Sequence, residues 1–482
     1  MGRKKKPQIF EGLEVFDAAA RGKAVAKAPD GRVVFLNNAV PGDVVDVQTG
    51  KKRKAFYEGK VTNFQKLSDK RTEVKCEHFE YCGGCKWQNM SYDWQLHYKQ
   101  EEVTNNLIRI GHLDLPVVES ILPCEETYFY RNKMEFSFSA NRWLTPEEID
   151  SGQEDLGSRN ALGFHISGMW DKILDIQKCH LQEDPSNALR NEMREFAESN
   201  NISFYNPRTQ EGFLRTMMIR IASTGEIMVV MQFFENDKNS IQKVMNHLKN
   251  NFPQITSLQY TVNSKGNDSI YDQKIICFDG RDHIFEEMEG LKFKINAKSF
   301  YQTNSKQAYE LYKLTRDFAN LSGEELVYDL YTGTGTIAQF VAKKAKKVVG
   351  VESVPEAIAD AKSNAKNNQI ENASFFVGDM KDVFTDAFIR EHGHPDVIIT
   401  DPPRDGMHKK VVEQLLKIKA ERIVYVSCNS ATQARDLALM SDMYKITRTK
   451  AVDMFPQTHH VENIVLLEKI KNPVQKGPTS ND

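Results

Sequence analysis

Two residues close to the C-terminus carry side chains suited to covalent chemistry. Cys428 follows the apolar run RIVYVS (422–427), inside the tetrapeptide Ser427-Cys428-Asn429-Ser430. Glu462 ends the stretch DMFPQTHHVE (453–462), just ahead of a second apolar run, NIVLLE. A thiolate is a strong nucleophile near neutral pH and leaves again readily, and a carboxylate can take up a proton. Such a pair suits transient covalent addition to an electron-poor ring followed by proton abstraction. Each residue also has an ordinary reading: a lone cysteine is commonly a small buried hydrophobe, and a lone glutamate a solvated charge. Cys124 and Cys277 are given that ordinary reading here. His459 and His460 are expected to position a loop rather than to hold a metal.

A second set of residues has the spacing of a nucleotide-type site. The strand-like run LVYDL holds Asp329 near its end, and Tyr331-Thr332-Gly333-Thr334-Gly335-Thr336-Ile337-Ala338 then opens a helix. Glycines at a first strand-to-helix turn let the backbone approach a ligand closely. Glu352 ends the next strand, twenty-three residues after Asp329, where a carboxylate can accept both ribose hydroxyls. Asp379, after the third strand, is placed to reach an adenine amino group. Alone, this pattern fits a nicotinamide dinucleotide as well as S-adenosylmethionine. The next strand, however, ends in Asp401-Pro402-Pro403-Arg404-Asp405-Gly406. That rigid, polar corner has no evident use in a dehydrogenase, whereas methyltransferases acting on planar nucleobases use one.

Three of the seven cysteines crowd into ten residues, as Cys76-x5-Cys82-Gly83-Gly84-Cys85. With Cys179 as the best candidate for a fourth ligand, four thiolates can bind zinc or an iron–sulfur cluster. Zinc sites usually arrive as two C-x-x-C pairs, and only one is present. Seven unevenly spread cysteines do not make a secreted disulfide scaffold. No apolar stretch approaches a membrane span and no signal-peptide core is visible, so a cytoplasmic protein is expected.

These residues need elements to hold them. From about 291 onward strands alternate with helices: LVYDL, 336–346, KVVGV, 355–368, SFFVG, DVIIT, 408–418, RIVYVS and NIVLLE. That alternation predicts an α/β, doubly wound Rossmann-like sheet over 291–470, with Asp329, Asp401 and Cys428 along one edge. Residues 8–66 show short Val/Phe-rich runs between turns at Asp30-Gly31 and Pro41-Gly42, which predicts a small OB-like five-stranded β-barrel over 1–70. A helix over 91–111, with Trp94, Tyr98, Val103, Leu107 and Ile110 along one side, is expected to pack on the catalytic domain. It belongs to a central α+β segment, 71–290, of mainly antiparallel pairing. The polar tail, 471–482, is expected to be disordered. Residues 1–70 hold fifteen Lys and Arg against eight Asp and Glu, in a chain of net charge −2. A basic end on a mildly acidic body points to a polyanionic partner.

Five motifs occur in one order: FYQTN (300–304), DLYTGTG (329–335), DPPRDG (401–406), SCN (427–429) and DMFPQTHHVE (453–462). In this the chain resembles the RNA uracil-C5 methyltransferases, and most of all the branch acting on large-subunit ribosomal RNA. The likeness covers the last 190 residues closely, extends to the cysteine cluster, and reaches more loosely to the barrel, which is similar to a TRAM domain. Carbon 5 of uracil is a poor nucleophile. A thiolate adding at carbon 6 makes an enolate whose carbon 5 can attack a methyl donor, and a base then removes the carbon 5 proton. The resemblance implies Cys428 as nucleophile and Glu462 as base. It implies Gln302, Tyr331, Gly333, Glu352, Asp379 and Asp401 about S-adenosylmethionine, and Arg404 holding Asp401 or the substrate. It further implies a [4Fe–4S] cluster on Cys76, Cys82, Cys85 and Cys179, with a structural role. Ser430 departs from the proline that often follows SCN, and Thr332 and Thr336 from the Cys and Asn common in the glycine loop. No reacting group is lost.

The expected partner is ribosomal RNA, with transfer RNA as the alternative, and the expected state is a monomer that binds no membrane. The uridine must be flipped out or lie in a loop for a thiolate to reach it. Tyr130, Arg131 and Lys133 are weak candidates for RNA contacts. Two other readings are a non-catalytic assembly factor, which would need neither Cys428 nor Glu462, and an amino-methyltransferase, which would not need the cysteine.

Overall fold

The computed structural model describes residues 8–50, 55–153 and 157–471. The basic run at 51–54 and nearly all of the polar tail therefore lie outside the described residues. The chain divides into two compact units. The first takes in the residues up to Tyr98, Glu125–Ile284 and Phe455–His459; the second takes in Lys99–Cys124, Phe285–Met454 and the residues from His460.

The first unit opens with a closed five-stranded barrel of Ile9–Ala19, Lys23–Lys27, Val33–Leu36, Val44–Thr49 and Phe56–Lys66. Alternation builds it: Val45 and Val47 point inward with Val15, Val34, Leu36 and Tyr57, while their neighbours stay wetter. Beyond it lies a seven-stranded sheet centred on Leu214–Ile221 and Ile227–Phe233, with seven of eight residues buried in the first and all seven in the second. All its pairings are antiparallel except Ile227–Phe233 with Ile255–Val262, which the helix Lys238–Asn251 connects. That helix and Ser186–Ser199 bury Leu189, Met193, Val244 and Leu248 in the same core.

The second unit holds an eight-stranded sheet. Its order runs Ala373–Val377, Lys347–Glu352, Leu326–Leu330, Val397–Thr400, Arg422–Ser427, Glu462–Lys469, Tyr444–Val452, Glu119–Leu122. The first five strands are parallel, and the winding direction reverses between Leu326–Leu330 and Val397–Thr400. Ligands of such sheets bind outside the carboxyl ends of the strands at that reversal.

Two features depart from a purely parallel reading. Glu462–Lys469 pairs antiparallel with both its neighbours, because the loop before it has no crossover helix and the chain must reverse. Glu119–Leu122 joins the far edge from upstream. Its presence follows from the helix Tyr92–Arg109, whose Val103 and Leu107 are buried in the core of this sheet. Of the predicted helix face, Tyr98, Val103 and Leu107 are buried, whereas Ile110 is 47% exposed beyond the helix end.

Candidate active site

At the end of Leu326–Leu330 the backbone turns sharply. Tyr331 (φ 64°), Gly333 (φ 55°) and Gly335 (φ 76°) all take the left-handed conformation. For a bulky residue such as Tyr331 this costs on the order of 1–3 kcal/mol, and it persists only where surrounding structure enforces it. Here Thr332 donates its amide to Val351 at 3.0 Å and Gly335 donates to Thr332 at 2.9 Å. A Cβ at Gly335 would come within 3.0 Å of Phe375 and Ala361, so glycine is needed for packing as well as for φ. At Gly333 a Cβ would meet nothing within 4 Å, which leaves an open cradle above the sheet edge.

Three carboxylates lie along that edge on neighbouring parallel strands. Glu352 accepts from the Gly333 amide at 3.2 Å and from the Ser353 and Val354 amides at 2.7 and 3.0 Å, which fixes it beside the glycine turn. Asp379 is exposed, caps Met380–Val383 and pairs with Lys381 at 2.6 Å; that ammonium holds its carboxyl below the ordinary range. Asp329 is buried, and burial pushes its carboxyl up to about 7 although Thr332 donates a hydroxyl to it.

The reactive candidates gather one, two and three strands away. Asp401 follows Val397–Thr400, and burial, then the charge of Asp329, pushes its carboxyl up to about 7. Glu462, only 6% exposed, is raised well above its ordinary value by burial and then by Asp401, against the pull of Arg404. Cys428 is half-buried, and burial, Glu462 and Asp401 push its thiol up to about 11, opposed by a hydrogen bond and charge from Arg404. The structure thus brings Cys428, Glu462, Asp401 and Arg404 into one electrostatic cluster.

Several residues that hold this cluster were not singled out from the sequence. Asn429 caps the helix Ser430–Met440 by accepting from Ala431 at 3.2 Å, and its amide donates to the Arg404 carbonyl at 2.9 Å. Thr432 donates its hydroxyl to the same carbonyl at 3.0 Å. Asp436, buried in that helix, accepts from the Met407 amide at 2.7 Å and the Tyr425 hydroxyl at 2.8 Å. The DPPRDG corner is therefore anchored by the helix that follows Cys428. An Asn just ahead of a helical pattern is a legible cap signal; the tie to Arg404 is not. Ser430 accepts from the Asn106 amide at 2.8 Å, a partnership that a proline there could not offer.

Gln302 lies two residues before Asn304, which caps Ser305–Ala319 and donates to the Met454 carbonyl at 3.0 Å. Tyr312, on that helix, is buried where the charges of Asp401, Asp329 and Glu462 all act on it. Asp453 pairs with Lys99 at 2.6 Å, with both side chains fully excluded from water.

In the first unit Cys76, Cys82, Cys85 and Cys179 all line one cavity of about 710 Å³, together with His78, Gln88 and Arg131. Burial, then the neighbouring sulfurs, push Cys82 up to about 11 and Cys85 to about 12. Among the described residues no group of three or more His, Cys, Asp or Glu side chains is arranged to hold a single metal ion. Cys124 is buried as expected, but Cys277 is exposed, because its strand Ile276–Gly280 is the edge of the seven-stranded sheet. Tyr130 is buried with its hydroxyl donating to the Pro456 carbonyl at 2.9 Å, so it is not available to read RNA.

A glycine cradle and carboxylate row at the reversal of a doubly wound sheet are the outline of a nucleotide-type site, and the comparisons with known proteins show that the chain is an RNA methyltransferase that uses S-adenosylmethionine. The profile of the family described as tRNA (Uracil-5-)-methyltransferase matches residues 208–470. An uncharacterized RNA methyltransferase of Bacteroides thetaiotaomicron is 54% identical over 455 residues, 93% of this chain and 99% of its own length. A second, from Porphyromonas gingivalis, is 52% identical over 461 residues, 94% of this chain and 99% of its own. Among solved structures, the tRNA (uracil-54, C5)-methyltransferase of Pyrococcus abyssi in complex with S-adenosyl-L-homocysteine superposes with a TM-score of 0.73 at 28% identity, covering 94% of this chain and all of that one. The chain belongs to the tRNA (uracil-5-)-methyltransferase family.

Proposed function

We propose that this enzyme methylates carbon 5 of a uridine in large-subunit (23S) ribosomal RNA through a covalent adduct between Cys428 and carbon 6. The observation that carries the covalent mechanism is the clustering of one thiol, one buried carboxyl and one guanidinium on the same sheet edge as the cofactor cradle; ribosomal RNA as substrate rests on the resemblance, from the barrel and the cysteine cluster together. Cys428 gives up its proton to solvent, with Arg404 favouring the thiolate, and the sulfur adds to carbon 6 as the C5–C6 double bond opens into the enolate. Glu462 takes the carbon 5 proton once the methyl group is in place, and the sulfur leaves. A buried carboxyl with a raised proton affinity is suited to that step, because it binds the proton it removes. Asp401 and Gln302 orient the uracil. Bound S-adenosylmethionine supplies an electrophilic methyl group, and the residues present fit it: Gly333 leaves open space, Glu352 is oriented for ribose hydroxyls, and Asp379 is exposed for the adenine.

The cysteines fit an iron–sulfur cluster better than zinc. Four soft donors, Cys85 and Cys179 buried and Cys76 and Cys82 partly so, line one cavity, and only one C-x-x-C pair is present where zinc sites usually have two. Cys76, Cys82, Cys85 and Cys179 would hold the cluster, which would tie two distant stretches of the first unit together. On the barrel, exposed Phe16 and Phe64 offer aromatic faces on which RNA bases can stack. Among the described residues no helix is long and apolar enough to cross a membrane. A ribosomal RNA substrate implies a cytoplasmic enzyme, and we read it as a monomer. A second reading, transfer RNA as substrate, is favoured by the description of the family and by the Pyrococcus abyssi enzyme.

The test is incubation of the wild type and Cys428→Ala with methyl-labelled cofactor and either RNA, followed by mass spectrometry of the nucleosides. Labelled 5-methyluridine in ribosomal RNA, from the wild type alone, is the expected result. Label only in transfer RNA would move the substrate, and methylation by Cys428→Ala would refute the mechanism. Ribosomal RNA carrying 5-fluorouridine should remain covalently bound to the wild type, because the adduct then has no carbon 5 proton for Glu462 to remove.

A further inference from the structure

Arg404 occupies a singular place in the second unit. Its carbonyl accepts from Asn429 at 2.9 Å and Thr432 at 3.0 Å, both in the segment just after Cys428. Its Nη2 lies 2.6 Å from Nδ1 of His460, two residues before Glu462. The arginine therefore spans from the nucleophile's loop to the stretch that carries the base. Its side chain is otherwise exposed, and an exposed guanidinium on a long stem samples many rotamers, with about 2 kcal/mol of side-chain entropy to lose on being held. Arginine has donors only, so His460 can meet it at 2.6 Å only as the neutral ring, with Nδ1 as acceptor.

We propose that His460 is a positioning residue: by accepting a hydrogen bond from Arg404 it holds the guanidinium beside the Cys428 sulfur, where the cation stabilises the thiolate. The proposal rests on Cys428 being the nucleophile. The groups facing that sulfur are Glu462 and Asp401, whose charges oppose ionisation, and Arg404, which favours it. A displaced Arg404 leaves two carboxyl groups and no cation at the thiol. The effect of His460 passes through Arg404.

Alkylation by iodoacetamide tests this directly, since only the thiolate displaces iodide. The rate at Cys428 would be followed from pH 7 to 9 by mass spectrometry of its peptide, in the full chain. His460→Asn keeps an acceptor near Nδ1 and should react at nearly the wild-type rate. His460→Lys has donors only and carries a charge that repels Arg404. A loss of one pKa unit of stabilisation lowers its rate about tenfold at a fixed pH below the thiol pKa. Arg404→Met should be at least as slow. The Asn and Lys variants share one position, so a merely structural role would affect both. Equal rates in His460→Lys and the wild type, or equal slowing in His460→Asn and His460→Lys, would overturn the proposal. Methylation by Cys428→Ala would instead refute the nucleophile assignment, whatever the alkylation rates.

Discussion

Removing the charge of Lys99 should destabilise the second unit far more than a surface lysine would. The Lys99–Asp453 pair is 2.6 Å long, and neither side chain is accessible to water. Lys99→Met keeps most of the stem volume and strands the Asp453 carboxylate in the interior. Breaking a buried pair from one side costs about 3–5 kcal/mol, a large share of the 5–15 kcal/mol or so that stabilises a domain. The opposite single change is cheaper. Burial already lowers the proton affinity of Lys99, so in Asp453→Leu the lysine can shed its proton, and raising the pH from 7 to 9 should restore part of the loss. The double variant Lys99→Met/Asp453→Leu removes both charges and should recover most of the stability of the wild type. Because the chain forms two units, hydrogen exchange of peptides from Tyr444–Val452 and Glu462–Lys469 reads the relevant free energy better than a single melting curve. Asp453 follows Val452, which pairs directly with Glu462, so methyl transfer should fall along with protection. A cost below about 1 kcal/mol for Lys99→Met, typical of an exposed pair, or strictly additive effects in the double variant, would refute this reasoning.

Two further outcomes follow from the site. Asp329 and Asp401 have carboxyl groups raised to about 7, so the folded, ligand-free enzyme retains protons that the unfolded chain loses from about pH 4 upward. Their contribution to stability is present at low pH and lost as the pH rises through 7. The melting temperature without ligand should therefore fall between pH 5 and 8, and Asp401→Asn should fall less; identical pH dependence in both proteins would exclude Asp401 as a source. Cys179→Ser should lose iron and acid-labile sulfide in equal proportion when purified without oxygen, with faster hydrogen exchange around residues 76–90. Wild-type protein free of both elements under the same conditions would refute the cluster.

The alternation of apolar runs with helical stretches after residue 291 determined the doubly wound sheet, because a strand buried on both faces must read as a continuous Val/Ile/Leu run. The five ordered motifs determined the family and the methyl donor, since those residue types are what the chemistry demands. The short strands and turns of residues 8–66 likewise announced a barrel, which closes as five strands. Tertiary structure alone decided the rest. That Lys99 faces Asp453, that His460 meets Arg404, and that Asn429 and Thr432 hold the Arg404 carbonyl are contacts between residues 25 to 354 positions apart. Local periodicity carries no information about such pairings. The antiparallel return of Glu462–Lys469 and the addition of Glu119–Leu122 were hidden for the same reason: a strand's own sequence sets which face is apolar, but its neighbours and direction are chosen by the chain that packs beside it. The raised proton affinities of Asp329, Asp401, Glu462 and Cys428 arise from burial and mutual charge, and these exist only once the sheet edge has assembled.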